Sequence, residues 1–178
     1  MQAKETICLS FTELLARRPI EQITVVEIVE NCQVSRATFY RHFKDKYDVM
    51  NYYYKMIIDD YLDTIAFKDW ADTLVETFLF IRYKKDFFYN AIKTDGENSF
   101  LNFLYHYAFS FYERSYKKYY QLDSLSDRQT NCIGFNCSGA VHLVERWIKN
   151  NYQEDPEDMA RWSYEFIPDD LKRVFSEK

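Results

Sequence analysis

Residues 35–46 place several strong hydrogen-bond donors on one short stretch of chain. They carry hydroxyl, guanidinium, phenol, imidazole and ammonium groups: Ser35, Arg36, Thr38, Tyr40, Arg41, His42 and Lys46. An arginine can bond both O6 and N7 of a guanine, and a threonine can contact a thymine methyl or a phosphate. Arg36 and Arg41 could instead bind a phosphate or pair with an acidic side chain. The donor set predicts an interface with double-stranded DNA.

A short helix, 36–43, is expected to hold these donors. Ser35 is its predicted N-cap, since serine accepts a hydrogen bond from an amide in the first turn. Phe39 and Phe43 lie four residues apart, on the side opposite the donors. A helix that is buried behind and exposed in front has the geometry of a helix that reads DNA.

The flanking segments predict a helix–turn–helix motif followed by a long helix. Thr24 is the expected N-cap of a helix over Val25–Asn31, with Glu27 completing a capping box. Gln33 stands in the tight turn, where a left-handed residue, preferably glycine, is needed. A helix from Asp45 to about Ile65 follows. The amides and charge at the starts of the second and fourth helices favour phosphate, through Thr24 and Lys46.

Four sequence pieces together resemble the DNA-binding region of the TetR family of transcriptional regulators. They are FTELL in the first helix, ITVVEI, VSRATFYRHF and the KDK that opens the long helix. The resemblance implies that Tyr40 and His42 bind backbone phosphates. Gln33 departs from the family, which usually has glycine there. The remaining chain is similar to short, aromatic-rich regulators of low-GC Gram-positive bacteria, some of which are similar to dihydroxyacetone-kinase regulators.

The composition predicts an all-α protein. Glycine and proline number only six among 178 residues, which is too few for a β-barrel or a glycine-looped α/β fold. We expect a helix–turn–helix domain over 1–47 and a helical ligand-binding and dimerisation domain over 48–178. The net charge is −5, but residues 1–47 carry +1, which allows a local DNA-facing surface. Further helices are predicted over 70–92, 99–120, 127–150 and 156–175, with possible breaks at 84–86 and 167–168.

Aromatic residues make up 19% of the chain and suggest a cavity in the helical body. The expected lining residues are Phe78, Tyr83, Phe87, Phe103, His106, Tyr107 and His142. The same aromatic stripe could equally be solid core. The two histidines lack a chelating partner at i, i+4, so satisfied core histidines are favoured over metal ligands. The expected effector is an unidentified apolar or aromatic small molecule.

The last two predicted helices offer apolar surface for a homodimer. The side chains assigned to this surface are Val141, Val144, Trp147, Ile148, Trp162, Phe166 and Leu171. A four-helix bundle would bury them and set two recognition helices about 34–36 Å apart, one turn of DNA. We therefore expect a dimer that binds a palindromic operator.

Motifs for other functions are missing from the sequence. No nucleophile elbow, phosphate loop or HExxH motif is present, so we expect neither an enzyme nor a cofactor. The four cysteines lack zinc spacing and are expected to be buried, reduced thiols. No apolar run of about 20 residues occurs, so a cytoplasmic protein is expected. The leading hypothesis is a ligand-responsive repressor. The alternative is a coactivator of the same fold that acts through a protein partner without binding an operator.

Overall fold

The described part of the chain is built from α-helices. The computed structural model describes residues 2–64, 70–94, 96 and 99–176, with only the backbone described for 59–64. No β-strand occurs among them. The helices are α1 Ala3–Leu15, α2 Val25–Asn31, α3 Arg36–His42, α4 Lys46–Thr64, α5 Trp70–Tyr83, α6 Lys85–Ala91, α7 Phe100–Tyr120, α8 Asp127–Lys149, α9 Pro156–Glu165 and α10 Asp169–Ser176, with a 3-10 turn over Ile20–Gln22.

The predicted helix boundaries are confirmed to within two residues wherever they can be compared. Both possible breaks are real, since α5 and α6 part at Lys84 and α9 and α10 part at 166–168. Pro168 has no N–H, and its carbonyl instead accepts from the amides of Leu171 and Lys172, at 2.9 Å each. Ile65, the expected end of the long helix, lies outside the described residues.

Packing divides the chain into two units. Unit 1 comprises Met1–Ile65 and Asp86–Asn102, and unit 2 comprises Ala66–Lys85 and Phe103–Lys178. The predicted functional boundary at residue 47 falls within unit 1, where α4 packs against α1. The division of function at that residue stays a prediction.

Unit 1 has a core to which the short helices contribute their apolar faces. In it α1 packs against α2, α3 and α4. Phe11, Ile28 and Phe39, one residue from each of α1, α2 and α3, are fully buried. Burial of each such side chain stabilises the fold by about 1.5–3 kcal/mol. A second cluster joins Tyr54 to Phe100, whose ring centroids lie 5.0 Å apart.

Unit 2 has its own aromatic core. Trp147 of α8 is fully buried, with its ring centroid 5.3 Å from that of Phe78 and 5.0 Å from that of Tyr152. Its indole N–H donates to the carbonyl of Glu154 at 2.9 Å, so the buried polar atom is satisfied. Elsewhere in the unit, α5 packs against α9.

The prediction of which apolar side chains face outward at the last helices is wrong in part. Trp147, Ile148 and Leu171 are buried within the chain itself. Helical periodicity marks an apolar face, but it does not tell an internal core from an interface with a second chain. Phe166 does lie outside, with 72% of its surface exposed, as does Phe135 of α8, with 85%.

The chain ends several helices without glycine. Gln33 has φ 55°, Gln121 has φ 54° and Asn151 has φ 56°. At Gln33 the amide of Val34 bonds the carbonyl of Val29 at 3.0 Å, and the Gln33 amide bonds that of Glu30 at 3.2 Å. This pair of hydrogen bonds is the Schellman motif. The positive φ predicted for Gln33 is confirmed.

We expect Gln33→Gly to stabilise the protein slightly. A side chain at positive φ costs about 1 kcal/mol relative to glycine, and glycine's larger unfolded-state entropy offsets part of the gain. The melting temperature should rise by about 1–2 °C. Gln22→Gly is the matched control, because Gln22 lies in the 3-10 turn and is not among the positive-φ residues. That change should lower the melting temperature, and a clear fall for Gln33→Gly would contradict the assignment.

Candidate nucleic-acid interface

Helix α3 exposes both of its arginines, while its own phenylalanine and the one that directly follows the helix are buried. Phe39 and Phe43 are buried, with ring centroids 5.9 Å apart. Arg36 and Arg41 are exposed, and Tyr40 is 54% exposed with its ring edge against Phe39. Among the described residues, neither arginine forms a salt bridge. The two guanidinium groups are therefore available to a ligand in front of the helix.

The start of α3 is fixed by a pair of hydroxyl groups. Ser35 Oγ accepts from the amide of Thr38 at 3.0 Å, as expected for the N-cap. The same oxygen lies 2.9 Å from Thr38 Oγ1. Both hydroxyls already bond within the helix end, and Thr38 is half-buried, as is His42. Ser35 thus orients the helix that carries the arginines.

The start of α2 is held by a capping box with an added ion pair. Glu27 Oε2 accepts from the Thr24 amide at 2.9 Å and from its hydroxyl at 2.8 Å. Arg18 bonds the other carboxylate oxygen of Glu27 at 2.8 Å. The hydrogen bonds from Thr24, with that from Arg18, lower the pKa of Glu27 to about 2. The box predicted for Thr24 and Glu27 is confirmed, and Thr24 remains exposed to solvent.

Lys46 lies where predicted, at the start of α4, but its ammonium group points into the protein. It donates to the carbonyl oxygens of Ile20 at 2.7 Å, Ile23 at 2.8 Å and Glu21 at 3.2 Å. These three oxygens, the carbonyl cage, match the three donors of an ammonium group. The assignment of this side chain to a phosphate is therefore corrected, because its donors are already used. Burial lowers the pKa of Lys46.

The α4 N-terminus is also occupied by the protein's own carboxylates. Asp45 Oδ1 accepts from the amide of Asp48 at 2.8 Å, and Asp48 Oδ2 accepts from the amide of Lys44 at 3.0 Å. Two negative charges at this helix end disfavour a phosphate beside it. The side chain of Lys44 is exposed, and it was not among the predicted DNA contacts.

The aromatic residues predicted to line the ligand pocket are divided between the two units. Phe78 is buried against Trp147, and Phe87 belongs to unit 1, where its ring lies 5.3 Å from that of Tyr53. Tyr83 is 78% exposed. Phe103 and Tyr107 stack on each other, with ring centroids 5.9 Å apart. The aromatic stripe therefore forms several separate contacts.

Both histidines of the predicted pocket are exposed, contrary to the core position favoured from the sequence. Nδ1 of His142 lies 3.6 Å from a carboxylate oxygen of Glu145. Each residue turns about 100° around a helix axis, so apolar neighbours in sequence do not imply a buried histidine. Only His106 lies at a described cavity, an open groove between α7 and α8 of about 590 Å³. Its lining also includes Tyr105, Phe109, Thr130, Asn131, Gly134 and Phe135.

The cysteines partly match the expectation of buried, reduced thiols. All four are free. Cys8 and Cys137 are buried, and burial raises the pKa of each thiol to about 12, which keeps both protonated. Cys32 and Cys132 are only half-buried. Among the residues that the structure describes, no group of three or more potential metal ligands occurs. In the same residues, no helix has the length and apolar character needed to cross a bilayer.

We expect the Thr24–Glu27–Arg18 contacts to make stability depend on pH in acid. The folded pKa of Glu27, about 2, is below its ordinary value of 4.5, so the ionised carboxylate stabilises the fold above pH 4.5. This contribution is lost as the pH falls from 4.5 towards 2. Melting temperatures of the native protein and Glu27→Gln should differ at neutral pH and converge in that range. Glu30→Gln, on the exposed side of α2, is the control and should leave the pH profile unchanged.

Comparisons with known proteins identify both parts of the chain. A family model described as bacterial regulatory proteins, tetR family, matches residues 12–53, and one described as a transcriptional regulator C-terminal region matches residues 68–169. Among solved structures, the dihydroxyacetone kinase operon activator DhaS matches with a TM-score of 0.63 and 15% identity, covering 98% of each chain. A search of curated protein sequences finds no match.

One family model matches the helix–turn–helix segment, and the other matches the helical body that follows it in the chain. The C-terminal model alone covers more than half of the chain. The similarity to DhaS, at low identity, supports the fold. The chain belongs to the TetR family of bacterial transcriptional regulators.

Proposed function

We propose that this regulator binds a palindromic operator as a homodimer in the cytoplasm and represses transcription until a small molecule releases it. The single observation that carries the proposal is the two-sided helix α3. Its buried phenylalanines fix the helix, while Arg36 and Arg41 stay exposed with no salt bridge among the described residues. These are the donors that can distinguish guanine in the major groove. Tyr40, His42 and Thr24 are the proposed phosphate contacts around them.

The homodimer is proposed to form through one face of α8. Phe135, Ser138, Gly139 and His142 lie at spacings of three and four residues, so they share a face, and all four are exposed. A Cβ built on Gly139 meets no atom within 4 Å, so nothing in the described part of the chain requires a glycine there. Glycine in a helix interior costs about 1 kcal/mol relative to alanine. A second α8 crossing closely at this point would explain the residue.

The effector site is proposed at the groove between α7 and α8, which contains His106 of the residues predicted from the sequence. Its volume, about 590 Å³, falls in the range of small-molecule sites. Tyr105 and Phe109 offer aromatic surface, while His106 and Asn131 offer hydrogen bonds. Phe135 belongs both to this groove and to the proposed dimer face, so a second subunit would cover the open side.

A coactivator that works through a protein partner is the alternative, and one observation favours it. Three of the cations in residues 1–47 already have partners in the protein. Lys4 lies 3.8 Å from the ring centroid of Tyr52, Arg18 pairs with Glu27, and Lys46 occupies the carbonyl cage. DhaS is named as an activator, so activation rather than repression is a second possible sign of regulation. Selection from random-sequence DNA separates the two hypotheses, because a coactivator that binds no operator would not enrich any DNA sequence.

We expect Arg36→Ala and Arg41→Ala to weaken operator binding more than binding to random DNA. A bidentate contact with guanine is worth about 1–3 kcal/mol of discrimination, while a phosphate contact is indifferent to sequence. Fluorescence anisotropy with a selected operator and a scrambled duplex measures both losses. Arg114→Ala, an exposed arginine of α7, is the control and should change neither. Equal losses on the two duplexes would assign the arginines to phosphates.

We expect Phe135→Ser to weaken the dimer by at least about tenfold, since aromatic side chains at the centre of an interface dominate its energy. Sedimentation velocity over a concentration series gives the dissociation constant. The matched control is Tyr83→Ser, because Tyr83 is another highly exposed aromatic residue that lies on α5. It should leave association unchanged. A wild-type monomer at micromolar concentration, or an unchanged constant for Phe135→Ser, would contradict the proposed face.

A further inference from the structure

The ammonium group of Lys46 joins two parts of unit 1 that are far apart in sequence. Lys46 is the first residue of α4, and the carbonyl cage lies in the 3-10 turn and the residues that lead into α2. Lys46 lies 26 positions after Ile20, which is the partner most distant from it in sequence. The complete helix–turn–helix lies between these two points. The hydrogen bonds of Lys46 therefore close residues 20–46 into a ring.

The cage is a rigid place to anchor such a ring. Ile20 and Ile23 are both fully buried, and the Ile23 amide bonds the Ile20 carbonyl at 3.0 Å, which fixes the carbonyl directions. The Glu21 and Ile23 carbonyls lie at the end of the 3-10 turn, where carbonyl groups lack a partner within the turn and can accept from a cation. Directly after the cage, Thr24 begins α2 through its capping box. A shift of the cage would therefore shift α2.

The other side of the ring leads to the DNA-facing helix. Only Phe43, Lys44 and Asp45 separate α3 from Lys46, and Phe43 is buried. The position of α3 is thus set from α2 through the turn at Gln33 and from α4 through this short connection. The three lysine bonds are directional contacts between α4 and the segment that leads into α2, whereas apolar packing is non-directional.

We propose that Lys46 is a positioning residue for DNA recognition, which fixes α3 by closing the ring at the carbonyl cage and does not contact a phosphate. This inference rests on the proposed DNA binding. A cage of three carbonyls suits the compact ammonium group, whereas the planar guanidinium of arginine directs its donors as a fork. A phosphate, in contrast, accepts lysine or arginine.

The test compares Lys46→Met and Lys46→Arg with Lys44→Met in the full chain, well below each melting temperature. Lys44→Met removes an exposed positive charge two residues away and is the matched control. Affinities for a selected operator and a scrambled duplex are measured over a salt series. Both Lys46 variants should lower the ratio of specific to non-specific affinity by about tenfold or more, the effect of losing one base-pair contact. Their salt slope should stay that of the native protein, and Lys44→Met should keep the native ratio.

Three results would overturn the proposal. One is a salt slope smaller by about one in Lys46→Met and restored in Lys46→Arg, the signature of a phosphate contact. Another is an unchanged affinity ratio in both Lys46 variants, and the third is a ratio lowered as much by Lys44→Met.

Hydrogen exchange tests the cage independently of DNA. The amides of Gln22 and Ile23 bond the carbonyls of Pro19 and Ile20 in the 3-10 turn. They should exchange faster in Lys46→Met than in Lys44→Met, because the cation no longer holds the turn. Equal exchange would overturn the inference even if the native protein binds DNA. If exchange is faster in Lys46→Met but the native protein selects no DNA sequence, the proposed function is rejected while the role of Lys46 in holding the cage stands.

Discussion

The DNA-facing surface depends on the burial of Phe39 and Phe43. Helix α3 has only seven residues, and an isolated helix of two turns is unstable in water because nucleation costs more than so few hydrogen bonds return. Its conformation therefore comes from the core of unit 1, in which Phe39 of the helix and Phe43 directly after it are buried. Burial of these rings therefore sets the direction in which the exposed arginines point. Loss of either phenylalanine would destabilise the packing that holds this helix in place.

Because the motif's helices are short, their ends carry much of the local specification. Thr24, Ser35 and Asp45 each accept a backbone amide at the start of a helix, and Gln33 ends α2 in a Schellman motif. Each such contact contributes about 1 kcal/mol. The caps set where each helix begins, while Lys46 links the ends across the motif. The local helix caps and the long-range contacts of Lys46 thus favour the same arrangement of α2 and α3.

The placement of glycine is unusual for a helical protein. Of three glycines, Gly134 and Gly139 lie inside α8, while Gln33, Gln121 and Asn151 take the left-handed positions at helix ends. A Cβ at Gly134 would lie 3.2 Å from the Tyr105 hydroxyl, so packing within the chain accounts for that glycine. Gly139 has no such neighbour. Its reason is to be sought outside the single chain, which is the basis of the dimer face proposed above.

The sequence by itself determined the helices, their caps, the left-handed turn at Gln33 and the two-sided character of α3. These features depend on residues within four or five positions of one another, so local spacing is sufficient to predict them. The tertiary structure decided the partner of Lys46, since its carbonyl cage lies more than twenty residues away. It also turned Trp147 and Leu171 inward and left His142 exposed. The type of a side chain indicates which environment it favours, but the packing of helices that are distant in sequence decides which neighbours provide that environment.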